Sequence, residues 1–248
     1  MRIGNATDYS YFCGGRNAAP HFRCEDIMTT LTSPPLAPLL DRLFADAEAS
    51  SAALRPLLAT MSAEDRVRIM GSKTDYRDFY GMMKDAHLAV SRETGALLYM
   101  LARSTGAKAI VEFGTSFGVS TLHLAAALHD NGGGRLISSE FEPGKVAKAR
   151  ATIEAAGLSD LVEIREGDAL QTLAADLPDA VDLLLLDGAK GLYPAVLDLV
   201  ESRLRAGALI VADNADWSPE YLARVRSAER GYLSVPFGGD VELSMRLA

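Results

Sequence analysis

Cysteine, histidine and tryptophan are scarce in this chain: two, four and one among 248 residues. Cys13 and Cys24 have no histidine pair nearby, so they make neither a disulfide framework nor a zinc site. His87, His123 and His129 lack metal-ligand spacing relative to one another. Positive charge is also short, with 25 basic residues against 33 acidic ones and a net charge of −8. That balance opposes non-specific attraction to nucleic acid or to an anionic membrane surface. No apolar run approaches the ~20 residues that a membrane helix needs. The N-terminus lacks the basic, apolar and small-residue order of a secretory signal, so the expected location is cytoplasmic. Internal repeats and low-complexity blocks are missing as well.

What is present is enough apolar material, 48% of the residues, to bury one sizeable core. Residues 1–27 are mixed, Gly-containing and aperiodic, and are expected to be a flexible tail. Residues 28–90 read as a helical extension, with helical spacing over 38–54, ending before Pro56, and over 63–70. Residues 91–248 read as one α/β domain. Ser91 followed by Thr94 caps a helix that leads into strand and helix patterns in alternation. Strands are expected at 109–114, 135–140, 162–167, 181–187, 208–214, 232–237 and 241–247, with helices at 120–128, 143–156, 193–204 and 219–226. This order predicts a doubly wound, mostly parallel seven-stranded sheet. Only Gly238, Gly239 and Asp240 separate the last two strands, too few for a crossover, so the sheet ends in an antiparallel hairpin.

The strand ends carry the chemistry. After the first strand, Gly114 and Gly118 let the backbone approach a ligand at the sheet's switch point. The middle glycine of a dinucleotide fingerprint is missing, and no Gly-Lys-Ser/Thr loop exists, which argues against a phosphorylated cofactor. Glu140 ends the second strand, where a carboxylate can accept both hydroxyls of a ribose. Asp168, followed by Ala169, ends the third; it either takes a hydrogen bond from a base amine or caps the next helix. Asp187 closes the run VDLLLLD with Lys190 three residues beyond, and Asp213 and Asn214 close ALIVADN. Two carboxylates and an amide oxygen are hard ligands suited to Mg²⁺ or a similar dication. The bland alternatives are ordinary Asx turns and a solvated lysine.

The segments VEFGTSFGVST, LISSEFEP, EGDAL, LLLLDGAKGLY, VADNADW and VPFGGDVELSMR together resemble the class I S-adenosylmethionine-dependent methyltransferases. More narrowly they are similar to the metal-dependent O-methyltransferases of the catechol and caffeoyl-coenzyme A type. The resemblance implies a Rossmann-like fold, S-adenosylmethionine and Mg²⁺ or another divalent cation as cofactors, and methyl transfer to a hydroxyl of a small phenolic or specialised molecule. It implies cofactor contacts at Val90, Gly114, Ser120, Glu140, Asp168, Ala169 and Asp187. It further implies metal ligation by Asp187, Asp213 and Asn214, with Lys190 as catalytic base, Trp217 near the substrate, helix packing by Tyr193, and a homodimer. Glu112 is expected to be structural or a cofactor neighbour. The alternatives are a metal-independent methyltransferase acting on another oxygen or nitrogen, or a catalytically silent cofactor-binding protein. Ala189 before Lys190, and a segment of only thirteen residues between Trp217 and Gly231, depart from the family pattern and leave the acceptor open.

Overall fold

A computed structural model describes residues 29–248. The expected tail, with both cysteines, lies outside the described residues. Helices α1 (Leu36–Ala59), α2 (Ala63–Gly71) and α3 (Tyr76–Met82) precede α4 (Arg92–Ser104), whose N-cap Ser91 side chain accepts the Thr94 N–H at 3.0 Å. Then follow β1 (Ala109–Phe113), α5 (Val119–Asp130), β2 (Arg135–Glu140), α6 (Pro143–Ala155), β3 (Val162–Glu166), α7 (Ala169–Thr172) and β4 (Val181–Leu186). The chain ends with α8 (Tyr193–Val200), β5 (Leu204–Ala212), α9 (Pro219–Val225), β6 (Tyr232–Phe237) and β7 (Val241–Arg246). The seven strands lie in the order β3-β2-β1-β4-β5-β7-β6, parallel except for β7, which runs antiparallel to both neighbours. Among the described residues no helix is long and apolar enough to cross a membrane.

The leucine run of β4 has a simple cause. Leu183 and Leu185 enter the core on one face with α1, α4, α5 and α6; Leu184 and Leu186 enter the other with α7, α8 and α9. A strand covered on both faces needs apolar residues at every position. Each of these leucines is fully buried, which contributes about 1.5–3 kcal/mol apiece. For the same reason α5 is buried at every position from Val119 to Leu128. Helix α1 buries Leu36, Leu39, Leu40, Leu43 and Phe44 in the first of these layers, so the N-terminal extension shares the main core.

Three elements differ from the sequence expectations. Helix α1 runs on through Pro56 to Ala59, although a proline there gives up the bond to residue 52 and crowds that carbonyl. Strand β5 begins at Leu204 rather than 208, with Gly207 at φ +78° and a register shift against β4 where the extra residues are absorbed. Helix α3 was not expected at all. Its short span carries Tyr76, Phe79 and Tyr80, and it covers the open end of the sheet.

Candidate active site

The chain reverses its winding direction between β1 and β4, and ligands in open α/β sheets bind at that crevice beyond the strand ends. A cleft opens there, lined by both polar and apolar groups as small-molecule sites are. Gly114, Ser116, Glu140, Ala169 and Asp187 line it from the sheet, and Tyr76 and Tyr80 of α3 from above. Gly114 is required by close approach. Its φ is +103°, and a β-carbon on it would stand 2.6 Å from the Asp187 carbonyl oxygen.

Glu140 is 7% exposed and held by two backbone donors, Ser116 N–H at 2.9 Å on Oε2 and Glu142 N–H at 3.0 Å on Oε1. Burial pushes its pKa up against these bonds. A carboxylate has about four acceptor positions, so both oxygens keep capacity for ligand hydroxyls. Ser120 is turned elsewhere: it donates to Glu112 Oε1 at 2.5 Å. Thr121 and Ser138 donate to Glu112 Oε2, each at 2.6 Å, and burial pushes this fully enclosed carboxyl up to about 7 despite the three hydroxyls. Val90 packs in the core, while its neighbours Leu88 and Ala89 face a second cleft. Asp168 caps α7 through Leu170 N–H at 2.9 Å and takes Arg77 Nη2 at 2.6 Å. Its neighbours Gly167 and Ala169, rather than its own side chain, line the first cleft.

The second cleft adjoins the first across Asp187, Tyr80 and Leu88, and it brings Asp187, Lys190, Asp213 and Asn214 together. The sheet ladder does this directly. Leu186 pairs with Ala212, and the bonds continue one residue further, Asp187 N–H to Phe113 O at 2.8 Å and Asp213 N–H to Leu186 O at 2.9 Å. Two carboxylates thus meet at adjacent strand ends. Burial and the Asp187 charge push the Asp213 carboxyl up to about 8. Asn214 takes the left-handed conformation, φ 48°, which asparagine tolerates better than most residues, and its Nδ2 donates to Asp240 at 3.1 Å. That bond assigns the opposite end of the amide, its oxygen, as the atom able to ligate.

Lys190 is 4% exposed, and its Nζ donates to Asp187 Oδ1 at 3.1 Å and to the Tyr193 hydroxyl at 2.8 Å. Burial disfavours the ammonium, yet Tyr193, Asp187, Tyr80 and Asp213 around it outweigh burial and hold its pKa well above the ordinary lysine value. Tyr193, expected only to pack α8, passes its own hydrogen onto the Asp213 carbonyl at 2.8 Å and so ties the two strand ends through the lysine. Packing from α2 sets this turn: a β-carbon on Gly191 would stand 2.7 Å from the Gly71 carbonyl oxygen. Trp217 lies in a neighbouring cavity with Met61, Ile69, Met70 and Phe79, outside the lining of the second cleft.

No cluster of three or more His, Cys, Asp or Glu side chains able to hold a metal exists among the described residues. The candidate set is smaller and mixed, Asp187 and Asp213 with the Asn214 amide. It suits a hard cation on two grounds: the ligand atoms are all oxygen, and burial together with the Asp187 charge disfavours the ionised Asp213 carboxylate, a cost that a bound cation would offset. Sequence reading missed Tyr76, Tyr80, Leu88 and the bridging role of Tyr193. The spacing of Tyr76, Phe79 and Tyr80 was a usable helical signal, but nothing local says that this helix covers the cleft.

Comparisons with known proteins bear on the family and the fold. The chain is 38% identical over 130 residues to a catechol O-methyltransferase of Niastella koreensis, covering 51% of this chain and 58% of that one. It is 35% identical over 127 residues to the catechol O-methyltransferase of Mycobacterium tuberculosis, covering 51% and 57%. A zebrafish (Danio rerio) catechol O-methyltransferase B is 31% identical over 173 residues, covering 66% and 64%. The matches thus span roughly three fifths of these relatives' own lengths. Among solved structures, the O-methyltransferase from Bacillus cereus in complex with SAH superposes with a TM-score of 0.59 at 23% identity, over 83% of this chain and all of that one. The TomG O-methyltransferase from Streptomyces achromogenes in complex with SAM gives 0.58 at 24% identity, over 82% and 99%. At such identities these structures establish the fold. A family model described as O-methyltransferase matches residues 62–235, well over half of the chain. The protein belongs to the O-methyltransferase family.

Proposed function

We propose that the protein transfers a methyl group from S-adenosylmethionine to a hydroxyl of a small molecule bearing vicinal oxygens, with a divalent cation such as Mg²⁺ and Lys190 as base. The observation that carries this reading is the junction of the two clefts at Asp187, beside a second carboxylate and a buried lysine. The first cleft suits the nucleoside. Glu140 is pre-oriented by two backbone donors for the ribose, Gly114 lets the ligand lie against the backbone, and Ala169 with Tyr76 and Tyr80 offers apolar walls to a base. Val90, Ser120 and Asp168 serve from behind this wall: Ser120 through Glu112, and Asp168 by capping α7 and holding Arg77.

A sulfonium methyl is already activated, so the protein's task is to align an acceptor oxygen with it and to favour that oxygen's deprotonated form. A dication held by Asp187, Asp213 and Asn214 would supply that second effect and fix which hydroxyl is presented. Lys190 Nζ, pinned by Asp187 and Tyr193, is placed to exchange a proton on the cleft floor. Positive charge among the acids lowers its hold on its own proton, which the protein's charges alone keep tight. The test is turnover of a vicinal diol with S-adenosylmethionine. Chelation should abolish it, Mg²⁺ should restore it, and Asp213→Ala should lose it while keeping the circular dichroism of the folded protein. Undiminished turnover after exhaustive chelation would sink the metal's part and leave methyl transfer itself standing.

A further inference from the structure

We propose that Arg55 selects acceptors carrying a carboxylate at the end remote from their hydroxyls; this rests on the methyl-transfer reading above and names the substrate class of the same site. The second cleft is graded in polarity from floor to rim. Its floor is buried Lys190 with the half-buried Asp187 and Asp213, and its walls are apolar, built from Leu54, Met70, Phe79 and Leu88. An aromatic or aliphatic body fits such walls, and its oxygens belong at the floor.

At the solvent end the chemistry changes sign. Ala47, Ser51 and Arg55 follow one another at four-residue spacing along α1, so they form one stripe on the helix, and all three line the cleft. The stripe runs from buried Ala47 to exposed Arg55. Side chains on a helix lean toward its N-terminus, which brings the Arg55 guanidinium back over Ser51 and the cleft mouth. The helix is anchored there, since Ser50 Oγ accepts the His87 N–H at 3.0 Å.

Two arginines of α1, Arg42 and Arg55, are unpaired among the described residues, and of the two only Arg55 lines the cleft. Arg68 pairs with Asp65 and Asp75, Arg77 with Asp168, and Arg92 with Asp41, whereas Arg55 has no ion-pair or hydrogen-bond partner among the described residues. One exposed guanidinium matches a singly charged, planar anion that it can grip with two parallel bonds. A phosphate dianion would leave one charge unmatched.

The test uses full-length protein with S-adenosylmethionine and Mg²⁺, and three acceptors: 3-(3,4-dihydroxyphenyl)propionate, its neutral primary amide, and the corresponding amine. Wild type should show a KM for the carboxylate about tenfold below that of the amide, the size of one charge-assisted bond at an exposed rim, with the amine poorest of the three. Arg55→Met, which keeps the apolar stem, should bring the carboxylate-to-amide ratio near one; Arg55→Lys should restore part of it. Equal KM values for carboxylate and amide in wild type, or an unchanged ratio in Arg55→Met, would overturn the proposal while the methyl-transfer reading stands. Calorimetric binding of the same compounds, with S-adenosylhomocysteine present, separates the two readings. Carboxylate-selective binding lost in Arg55→Met without any turnover would uphold Arg55 and sink the methyl-transfer reading, whereas neither turnover nor selective binding would sink both.

Discussion

Glu112 offers the sharpest quantitative test of how the protein supports its first cleft. The carboxyl is fully buried beneath the glycine turn, and burial raises its pKa from an ordinary 4.5 to about 7 even though Ser120, Thr121 and Ser138 all donate to it. The folded-state pKa therefore lies above the unfolded one. Its contribution is fully present below about pH 4.5 and is lost as pH rises through about 7. At ~1.4 kcal/mol for each pH unit between the two values, the loss is about 3 kcal/mol, an upper bound because local relaxation reduces it. Replacing the acid by its neutral isostere in Glu112→Gln removes the titration, while the hydroxyl cluster can rotate to meet an amide. Urea unfolding at pH values from 5 to 8 should show the variant gaining on wild type by roughly 1–3 kcal/mol across that window. Taking the difference between the two proteins cancels groups common to both, Asp213 and the histidines included. Parallel stability curves would refute the reasoning, since they would mean that Glu112 is either ionised throughout in the folded protein or not buried as described.

Two further outcomes follow from the strand ends. Gly114→Ala places a β-carbon 2.6 Å from the Asp187 carbonyl and puts a non-glycine residue at φ +103°; overpacking and backbone strain together should cost about 2–5 kcal/mol in denaturant unfolding and weaken S-adenosylmethionine binding measured by calorimetry. Tyr193→Phe removes the hydroxyl that joins Lys190 Nζ to the Asp213 carbonyl; a loss of about 1–3 kcal/mol in stability is expected, together with a lower kcat and a changed pH profile, because the lysine loses a fixed partner. An unaltered pH profile in that variant would show that Lys190 is positioned without Tyr193.

The sheet was legible because its physics is local and periodic. Strands buried on both faces must be apolar at every position, and turns too short for a crossover must be hairpins, so VDLLLLD, ALIVADN and the Gly238-Gly239-Asp240 link announce themselves. The strand-end acids were legible for the same reason, since parallel strands place their carboxyl ends side by side. Burial, by contrast, is a property of the packed chain. Ser120 reads as a contact at a helix start, but the closeness of β1 and α5 gives it to Glu112 instead. Lys190 reads as a base, but the enclosure of its ammonium by Tyr193, Asp187 and Asp213 binds its proton more tightly than sequence could indicate.

The doubly wound order, the closing hairpin and the residue types at the switch point can be read along the chain, because each follows from periodicity, loop length or residue type over a short stretch. Packing alone sets α3 over the first cleft, brings Arg77 to Asp168 from a helix 91 residues away in the chain, and leaves Arg55 of α1 unpaired, among the described residues, at the second. Those contacts join segments that share no local pattern, and they exist only once the core beneath them has packed.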